Sequence, residues 1–492
     1  MVSRRSFFAV ALLSSRLRAA GDPLQKAMES VRASMPTAAA DPERPVYHFH
    51  PPANWSNDPN GTIFYRGWHH LFYQFNPYGS SWGHMHWGHA RSRDLVNWEH
   101  LPIALAPSVE KGETAVFSGG AILALDGRPR IFYTSIGERA PEQWMATPAD
   151  EDLIVWTKSR QNPILTTAVH GALKVDDWRD PFLFTESGAT YMVCGGNTSG
   201  RRWGGSGQVQ LYRATNDELT HWTHLGPVFE CRDREIVNIE CPDLFKLDGK
   251  WVLIISPHKP CEYFLGSLDL ARPRFTPEAR GILDAGMDYA SNISRDQSGR
   301  TILWMWGRTG NPAAKGWNSV MALPRILSLG SDGFLRQQPA PELEKLRGAI
   351  VTAAAVPLTS TPSVLQGIRG DCMELEIELT LGRAAWVRLN LRCSESGKAG
   401  AAITITNEGL LTVGKATTLL GQNDRYRLRV FLDKRVFEVY ANGGLAALYS
   451  TTDAGRDDLG ITVSVGGEGA EVVAVKGWPL KPAEFDASRF HV

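Results

Sequence analysis

A β-hairpin pattern recurs five times within the first 310 residues, and this repetition leaves few folds open. Each copy joins an apolar strand to a second apolar or aromatic strand through a short turn that contains Gly. The copies begin at Ile63, Ile122, Phe182, Leu244 and Ile293, roughly 50 to 60 residues apart. Evenly spaced β-rich units without helical periodicity between them predict an all-β fold, with a five-bladed β-propeller over residues 46–347. A long β-sandwich would also contain hairpins, but with less regular spacing.

The pattern changes after Arg347. Residues 348–364 are rich in Ala, Thr and Pro, so a linker is predicted there. The chain then alternates apolar and polar positions in several runs, among them 373–379 and 436–440. Strands with one apolar and one polar face pack as antiparallel sheets, so residues 365–492 are predicted to form a β-sandwich domain.

The charge balance bears on the kind of partner. Lys plus Arg and Asp plus Glu both total 52, so the formal net charge is zero and no basic surplus favours nucleic acid. The 16 Trp residues are suited to stacking on the apolar faces of sugar rings, although Trp is also common in protein cores.

The N-terminus has the features of a targeting segment. Arg4 and Arg5 precede a short apolar stretch at 7–13, and small residues follow at 19–20. We therefore predict a twin-arginine-like export signal over residues 1–20 and a periplasmic or extracellular protein. A basic N-terminus without a targeting role is the alternative. No later stretch approaches the ~20 apolar residues of a membrane-spanning helix, so no span is expected after signal removal.

Neither a metal ion nor a cofactor is expected. The six Cys residues show no CxxC pairing and no metal-ligand spacing. His84, His86 and His89 are close in sequence, but alternating His residues in a strand are also typical of hydrogen-bonded structure. The sequence indicates neither disulfides nor an oligomeric state.

Acidic residues occupy the starts of three of the five hairpins. Asp58 precedes the first hairpin, Asp180 the third and Glu240 the fourth. In a propeller the first strand of each blade lines the central channel, so equivalent starts converge on the axis. We therefore expect three carboxyl groups, far apart in sequence, to meet in one funnel.

Two carboxyl groups in opposite protonation states are what glycoside hydrolysis requires. Asp58 is the predicted nucleophile, because the Asn residues near it and the N–H groups of a tight turn would keep it ionised. Glu240 is the predicted general acid/base, because its apolar sequence neighbours would help it to keep a proton. Asp180 would hold the sugar ring and stabilise positive charge in the transition state, with Arg179 beside it to fix its ionised form.

Each of these motifs also has a purely structural interpretation. DPNG (58–61) fits a type I turn, with Asp first, Pro second and Gly fourth. RDP (179–181) and EC (240–241) are short, and each taken alone is often structural. Their shared position at hairpin starts favours a functional role.

Taken together, the motifs resemble glycoside hydrolase family 32, which contains invertases, inulinases and levanases. WSNDPNG (55–61) resembles the nucleophile motif of that family, RDP (179–181) its transition-state-stabiliser motif and EC (240–241) its acid/base motif. Further matches are WGHMHWGHA (82–90), LPIALAP (101–107), FSG (117–119), LPR (323–325) and VFEVY (436–440).

The resemblance implies a retaining β-fructofuranosidase built as a five-bladed propeller followed by a β-sandwich. It assigns Asp58 as nucleophile, Asp180 as transition-state stabiliser and Glu240 as acid/base. The residues implied to shape the fructosyl pocket are Asn57, Gln74, Trp82, Phe117, Ser118 and Arg179. Two departures concern the substrate. Ser56 stands where the family often has Met, and this change is expected to alter the pocket rim. A Gly- and Arg-rich insert at 201–207 is expected on the leaving-group side.

Three functions remain open. The first is hydrolysis of terminal β-fructofuranosyl residues from sucrose, inulin or levan, among which the sequence does not choose. The second is fructosyl transfer, in which a sugar hydroxyl replaces water as the acceptor. The third is a non-catalytic carbohydrate-binding propeller, which the three filled acidic positions disfavour.

Overall fold

The computed structural model describes residues 22–198, 205–310, 315–353, 356–394, 398 and 400–490, with only the backbone described at Val356 and Pro357. The predicted export signal at 1–20 therefore lies outside the described residues. In these ranges one α-helix, α1 (Pro23–Ala39), precedes the sheets. Asp22 caps it by accepting the Leu24 N–H at 3.0 Å, and Pro23 occupies its first turn. No helix in the described ranges is long and apolar enough to cross a membrane.

Five sheets follow one another in the described part of the chain up to residue 339. The first contains β1 (Asn54–Tyr65), β2 (Trp68–Asn76), β3 (His86–Ser92) and β4 (Trp98–Leu105). The second contains β5 (Glu113–Leu123), β6 (Pro129–Gly137), β7 (Glu142–Pro148) and β8 (Trp156–Lys158). The third contains β9 (Asp176–Glu186), β10 (Ala189–Asn197), β11 (Gly207–Ala214) and β12 (Trp222–Glu230).

The fourth and fifth sheets complete this part. The fourth contains β13 (Glu240–Leu247), β14 (Lys250–Ser256), β15 (Cys261–Asp269) and β16 (Arg274–Asp284). The fifth begins with β17 (Asp288–Arg295) and β18 (Thr301–Gly307). Next in the chain are β19 (Trp317–Asn318), β20 (Val320–Met321), β21 (Arg325–Leu329) and β22 (Leu335–Pro339). Of these, β19 pairs in parallel with β1, and the others belong to the fifth sheet. Each hairpin of the sequence pattern forms the first two strands of one sheet.

The first strands of the five sheets contact one another in cyclic order. β1 contacts β5, β5 contacts β9, β9 contacts β13, β13 contacts β17, and β17 contacts β1. The first strand of each sheet is therefore adjacent to the first strands of two other sheets. This all-β arrangement is consistent with the predicted propeller.

A β-bulge interrupts each of these first strands near its start. The register shifts fall between Ser56 and Pro59, Val116 and Gly119, Arg179 and Phe182, Glu240 and Asp243, and Tyr289 and Ser291. A bulge bends the strand and changes the direction in which its side chains point. Three bulge residues also have left-handed backbone, with φ of 62° at Asp180, 44° at Cys241 and 49° at Ala290. Such backbone costs of order 1–3 kcal/mol per residue and is concentrated at functional sites.

The motif DPNG (58–61) differs from one interpretation offered by the sequence. It is not a hairpin turn, because all four residues lie within β1, and the turn comes later at Arg66 and Gly67. Pro59 follows the bulge directly. Since a bulge leaves backbone groups outside the ladder, it accommodates a residue without an N–H.

The remainder of the chain forms two further sheets and a tail. One contains β23 (Val351–Ala353), β24 (Val356–Pro357), β26 (Cys372–Thr380), β31 (Tyr426–Asp433), β32 (Val436–Ala441), β33 (Ala446–Thr451) and β35 (Glu471–Pro479). The other contains β25 (Ser363–Val364), β27 (Trp386–Cys393), β28 (Ala401–Thr406), β29 (Leu410–Val413), β30 (Ala416–Leu419) and β34 (Gly460–Gly466). Apolar side chains from both sheets form one shared core, as in a β-sandwich.

The segment predicted as a linker is structured differently from that prediction. Within residues 348–364, β23 and β24 pair with β35, and β25 pairs with β34. Ala, Thr and Pro are tolerated there because these strands are only two or three residues long and lie at sheet edges.

The tail of the chain returns to the first sheet. Its strand β36 (Phe485–Asp486) pairs in parallel with β4, and Phe490 is buried in the same apolar core as Ala27 and Val31 of α1. The first sheet therefore gains a strand at each edge from a distant part of the chain, β19 at one edge and β36 at the other.

Candidate active site

The three predicted catalytic acids lie in the bulged starts of three different first strands, and Cys241 connects two of them. The Cys241 N–H donates to Asp180 Oδ2 at 3.0 Å. Its thiol lies 3.6 Å from Asp180 Oδ2 and 3.8 Å from Asp58 Oδ2. On the other side, the Arg179 guanidinium donates to Glu240 Oε1, and its Nε lies 3.9 Å from Asp180 Oδ2. Asp58, Asp180 and Glu240 thus form one connected cluster.

Hydrogen-bond donors surround Asp58. Ser118 Oγ donates to Asp58 Oδ2 at 2.5 Å, Asn57 Nδ2 donates to Oδ1 at 3.0 Å, and Gln74 Nε2 lies 3.4 Å from Oδ2. Burial and the negative charge of Glu240 raise the pKa of Asp58 above its usual value, and the Ser118 and Asn57 hydrogen bonds offset only part of this effect. The predicted donors therefore favour the charged form of Asp58 but do not outweigh burial. Four predicted residues, Asp58, Asn57, Gln74 and Ser118, therefore come together.

Asn60 does not support Asp58 as the sequence suggested. Its Oδ1 accepts the Gly119 N–H at 3.2 Å, so it joins β1 to β5 instead. Gly119 is required for the close packing of β5 on β6, because a Cβ there would lie 1.9 Å from the Phe132 carbonyl oxygen.

Glu240 is surrounded by groups that favour its charged form. Arg179 donates to Oε1, the Tyr289 hydroxyl donates to Oε2 at 2.6 Å, and His258 Nε2 lies 3.6 Å from Oε1. Burial alone would raise the pKa of Glu240, but Arg179, His258 and Tyr289 outweigh it and hold that pKa below its usual value. The expectation of an apolar environment that keeps Glu240 protonated is therefore wrong for the free site. Sequence neighbours did not indicate it, because the three polar contacts come from other strands and turns.

Asp180 has the opposite electrostatic behaviour. Its backbone N–H donates to Thr134 Oγ1 at 2.9 Å, and its carboxylate accepts the Cys241 N–H. Burial raises the pKa of Asp180 to about 7, because Arg179 offsets only part of burial and of the charges on Glu240 and Asp58. Arg179 therefore does not hold Asp180 ionised throughout the neutral range, as the sequence had suggested.

Aromatic side chains line the rim of the site. Trp82 is 59% exposed and packs edge-to-face on Phe117, with ring centroids 6.1 Å apart. A second aromatic pair is Trp55 and Trp306, at 5.7 Å. Trp55 Nε1 donates to Asn57 Oδ1 at 2.8 Å, which joins this pair to the acid cluster. Trp82 is exposed and the other three rings are partly buried, and such flat aromatic faces are suited to packing on a sugar.

Ser56 is not at the pocket rim. It is fully buried, and it is the neighbouring Asn57 whose side chain contacts Asp58. The expectation that Ser56 alters the rim is therefore wrong. Of the insert expected on the leaving-group side, residues 201–204 lie outside the described residues.

The His-rich run of the first sheet is hydrogen-bonded and stacked. His89 Nε2 lies 3.0 Å from His70 Nδ1, and its ring stacks on Phe72 at 4.0 Å. Burial lowers the pKa of His89 well below its usual value. In the described part of the chain no group of three or more His, Cys, Asp or Glu side chains is arranged to hold a metal ion. All six Cys residues are unpaired.

Two family models match nearly the whole chain. "Glycosyl hydrolases family 32 N-terminal domain" matches residues 48–339, and "Glycosyl hydrolases family 32 C terminal" matches residues 342–479. The chain belongs to glycoside hydrolase family 32. The resemblance drawn from the sequence motifs is thereby confirmed.

Relatives of this family 32 chain include characterised hydrolases. The levanase of Bacillus subtilis (strain 168) is 31% identical over 499 residues, which cover 89% of this chain and 70% of the levanase. A sucrose-6-phosphate hydrolase of Zymomonas mobilis is 32% identical over 495 residues, which cover 90% and 93% of the two chains.

Solved structures share the fold. Fructan 1-exohydrolase IIa of Cichorium intybus superposes with a TM-score of 0.82 at 24% identity, over 91% of this chain and 99% of that chain. A β-fructofuranosidase of Bombyx mori gives a TM-score of 0.74 at 27% identity, over 93% and 98% of the two chains.

Sequence reasoning missed several residues of the family 32 site, above all Tyr289 and His258. Tyr289 lies in the bulge of β17, the position equivalent to the acids in the other first strands. That equivalence was visible in the repeat and could have indicated Tyr289. His258 lies in the turn between β14 and β15, where no repeated signal marks it.

Proposed function

We propose that this chain is a retaining glycoside hydrolase that releases terminal β-fructofuranosyl residues from sucrose or fructans through a covalent fructosyl-enzyme intermediate. Asp58 is the nucleophile, Glu240 the general acid/base and Asp180 the transition-state stabiliser. Asn57, Gln74, Trp82, Phe117, Ser118 and Arg179 shape the fructosyl pocket. The observation that supports this assignment best is the single connected cluster formed by carboxyl groups from β1, β9 and β13.

The nucleophile needs a fixed direction and a negative charge. The hydroxyl of Ser118 and the amide of Asn57 hold the two oxygens of Asp58 and leave it facing Cys241 and Asp180. Donors that are already in place cost little reorganisation when the carboxylate attacks the anomeric carbon. The same donors would stabilise the departing carboxylate when water cleaves the intermediate.

To act as the general acid, Glu240 must carry a proton, but the free site favours its charged form. With Arg179 and Tyr289 donating to Glu240, the proton of the free cluster is favoured on Asp180, whose pKa is about 7. A bound sugar whose hydroxyls donate to Asp180 favours its charged form, and the leaving oxygen beside Glu240 favours a protonated acid. We infer that substrate binding moves the proton within the cluster to Glu240. Glu240 then gives it to the leaving group and later accepts one from water.

We also infer the finer architecture. The five sheets whose first strands contact one another in cyclic order are the blades of a five-bladed propeller, the catalytic domain of residues 46–347. Residues 365–492 form the β-sandwich domain, to which the short strands β23 to β25 contribute. A crystal structure with fewer or more blades would contradict this.

Residues 1–20 are proposed as a twin-arginine export signal, with the protein delivered to the periplasm or the cell exterior. Replacing Arg4 and Arg5 by Lys should retain the protein inside the cell. Fractionation of cells that produce both forms tests this, and unchanged export of the Lys form would contradict it.

Fructose release from sucrose, inulin and levan tests the activity. Asp58→Ala and Glu240→Ala should each lose at least about 10³-fold in kcat/KM while keeping the melting temperature of the parent. Product analysis at high sucrose also separates hydrolysis from transfer, because transfer yields longer oligosaccharides. An active Asp58→Ala enzyme would remove the proposed nucleophile.

Azide distinguishes the two acids. Azide needs no general base, so it should restore turnover of an aryl β-fructofuranoside by Glu240→Ala and yield the β-fructosyl azide. Asp58→Ala forms no intermediate and should not respond in this way. Equal responses of the two variants would reverse or remove the proposed roles.

A further inference from the structure

Two sequence motifs that the catalytic cluster does not use meet in a buried junction between the fifth sheet and the C-terminal sheets. LPR (323–325) contributes Arg325, and VFEVY (436–440) contributes Glu438 and Tyr440. The side chains of Arg325 and Glu438 are 1% and 0% exposed. We call the charged residues of this site the junction cluster: His48, Asp284, Asp288, Arg325, Asp433 and Glu438.

Arg325 is the centre of the junction cluster. Its guanidinium lies 3.0 Å from Asp284 Oδ2 and 3.1 Å from Glu438 Oε2, and it also donates to Asp288 Oδ2. One cation thus connects β32 of the C-terminal sheets to the first residue of β17. All four side chains are essentially excluded from solvent.

Glu438 is held in place from several directions. It accepts the Leu323 N–H at 2.7 Å and the Tyr440 hydroxyl at 2.5 Å, and His48 Nε2 lies 3.2 Å from it. Burial alone would raise the pKa of Glu438, but Arg325, His48 and Tyr440 lower it to about 2. The contacts of Glu438 therefore favour its charged form.

The junction cluster ends one residue from the acid/base contact. Asp288, held by Arg325, is followed by Tyr289, whose hydroxyl donates to Glu240 Oε2 at 2.6 Å. The next residue, Ala290, has left-handed backbone within the bulge. Neighbouring side chains of a strand point to opposite faces, so fixing Asp288 on one face fixes the direction of Tyr289 on the other.

The cost of burying the charges of the junction cluster also indicates a role beyond stability. Burying a charged cluster has a desolvation cost that well-packed apolar residues would avoid, so a buried ion pair is weak grounds for stability alone. A geometry that must be held within a few tenths of an ångström is a better reason to keep such groups.

We propose that Glu438 is a positioning residue for the acid/base: through Arg325 and Asp288 it fixes the start of β17, and so holds the Tyr289 hydroxyl on Glu240. The C-terminal sheets thereby take part in the chemistry without contacting the substrate. This inference rests on the proposed function of Glu240.

A double-mutant cycle tests it, with Glu438→Gln, Tyr289→Phe and the double variant. The first measurement is kcat/KM for sucrose and for 4-nitrophenyl β-fructofuranoside, whose leaving group needs little protonation. The second is the basic limb of the pH profile of kcat, which reports the group that must be protonated in the enzyme–substrate complex, where the proposed function places the proton on Glu240. Arg179, His258, Asp58 and Asp180 also face Glu240 and stay unchanged throughout the cycle.

Loss of the tyrosine donor should raise the pKa of Glu240, so both single variants should move the basic limb to higher pH. Glu438→Gln should lose roughly tenfold in kcat/KM on sucrose and much less on the aryl substrate. In the Tyr289→Phe background, Glu438→Gln should cause almost no further loss of kcat/KM and no further shift of the basic limb, because the contact through which it acts is already gone. Effects that add in the double variant, or that are equal for both substrates, would overturn the proposal.

Glu374 supplies a matched control. It is also a fully buried carboxylate of the C-terminal sheets, paired with Arg347 at 2.7 Å and Arg429 at 2.5 Å, but it does not contact β17. Glu374→Gln should lower the melting temperature as Glu438→Gln does, yet leave the basic limb unchanged. The same shift in both variants would make the role of Glu438 merely structural.

Should Glu438→Gln fail to fold, Tyr440→Phe replaces it in the cycle, because it removes one hydrogen bond to Glu438 and keeps the charge. The outcomes are judged by the same criteria. A wild-type enzyme that releases no fructose would refute the proposed function, whereas an active wild type with an additive cycle would refute only this inference.

Discussion

Arg179 is a side chain that influences the protonation of two of the three catalytic acids. It donates to Glu240, lies 3.9 Å from Asp180 and donates to the Asp177 backbone carbonyl at 3.0 Å. Through these contacts one guanidinium favours the charged form of two catalytic carboxyl groups at once. Arg179, which the sequence suggested as a partner of Asp180 and as a pocket residue, is thus also the main counter-charge of Glu240.

Replacing Arg179 by Gln should therefore move the pH profile. Without the guanidinium, the pKa values of Asp180 and Glu240 both rise, so the acid and basic limbs of kcat/KM shift to higher pH. The lost positioning should also lower kcat/KM by roughly 10²-fold. Rate measurements over the full pH range check this, with Arg179→Lys as a control that keeps the charge. Limbs that stay at the wild-type pH would show that Arg179 acts on the sugar alone.

At this scale the sequence predicted which residues meet but not their charges. The repeat placed Asp58, Asp180 and Glu240 at equivalent positions, and that was enough to bring them together. The environment of Glu240 is set instead by Tyr289 and His258, which are remote in sequence. A pKa depends on neighbours within a few ångströms in space, which sequence neighbours rarely report.

Among the elements, the bulged first strands give the site its geometry. In three of them a Pro lies within or directly beside the bulge: Pro59, Pro181 and Pro242. Since Pro cannot donate to a ladder, it suits the point where the ladder is already interrupted. The same Pro residues make the sequence look like turns, which explains why DPNG fitted a turn and proved to be strand. The hairpin turns were predictable because each contains Gly, which readily adopts the positive φ that a tight turn requires. Gly67, Gly188 and their equivalents do have positive φ.

The bulge of β17 restricts which side chain can replace Ala290. Its φ of 49° and its complete burial exclude a β-branched side chain. Ala290→Val should lower the free energy of unfolding by about 2–3 kcal/mol through backbone strain and crowding. It should also weaken the neighbouring contact of Tyr289 with Glu240.

Urea denaturation of Ala290→Val measures the loss, with Ala290→Gly as the control. Gly adopts positive φ without strain, so that variant should stay within about 1 kcal/mol of the parent. Equal losses in the two variants would indicate that burial, and not backbone conformation, dominates at this position.

For the whole molecule, contacts between distant parts of the chain connect the two regions. Asp433 of β31 accepts the N–H groups of Val46, Tyr47 and His48, so the segment before the first sheet is fixed to the C-terminal sheets. Such contacts were not predictable from the sequence. Charged residues in alternating strands are usually solvated, and only packing shows that Asp433 is buried.

His48 should make stability fall at high pH. Burial by itself would lower the pKa of His48, but hydrogen bonds to Asp433 and Glu438 outweigh it and raise the value to about 9. The folded-state pKa lies above the ordinary 6.5, so this contribution is complete below about pH 6.5 and is lost as the pH rises through about 9. Thermal unfolding of wild type and His48→Gln should therefore differ most below about pH 6.5, and the difference should shrink as the pH rises through about 9. A difference that stays constant up to about pH 10 would contradict the ion pairs.

Phe490 should be important for stability although it is near the end of the chain. Its side chain is 1% exposed within the core that also contains residues of α1. Phe490→Ala should cost about 3–5 kcal/mol, as for other buried aromatic residues. Leu419, 68% exposed, is the control, and Leu419→Ala should change stability by less than about 0.5 kcal/mol. Equal melting temperatures of the two variants would show that the tail is dispensable.

The docking of β36 on β4 also fixes an order of events during synthesis. A ribosome makes Trp98 long before it makes Phe485, yet these two residues lie side by side in one sheet. The edge of the first sheet therefore stays open to other nascent chains until Phe485 has been made. Release of a polypeptide stalled short of Phe485 would yield a species prone to aggregation through that edge.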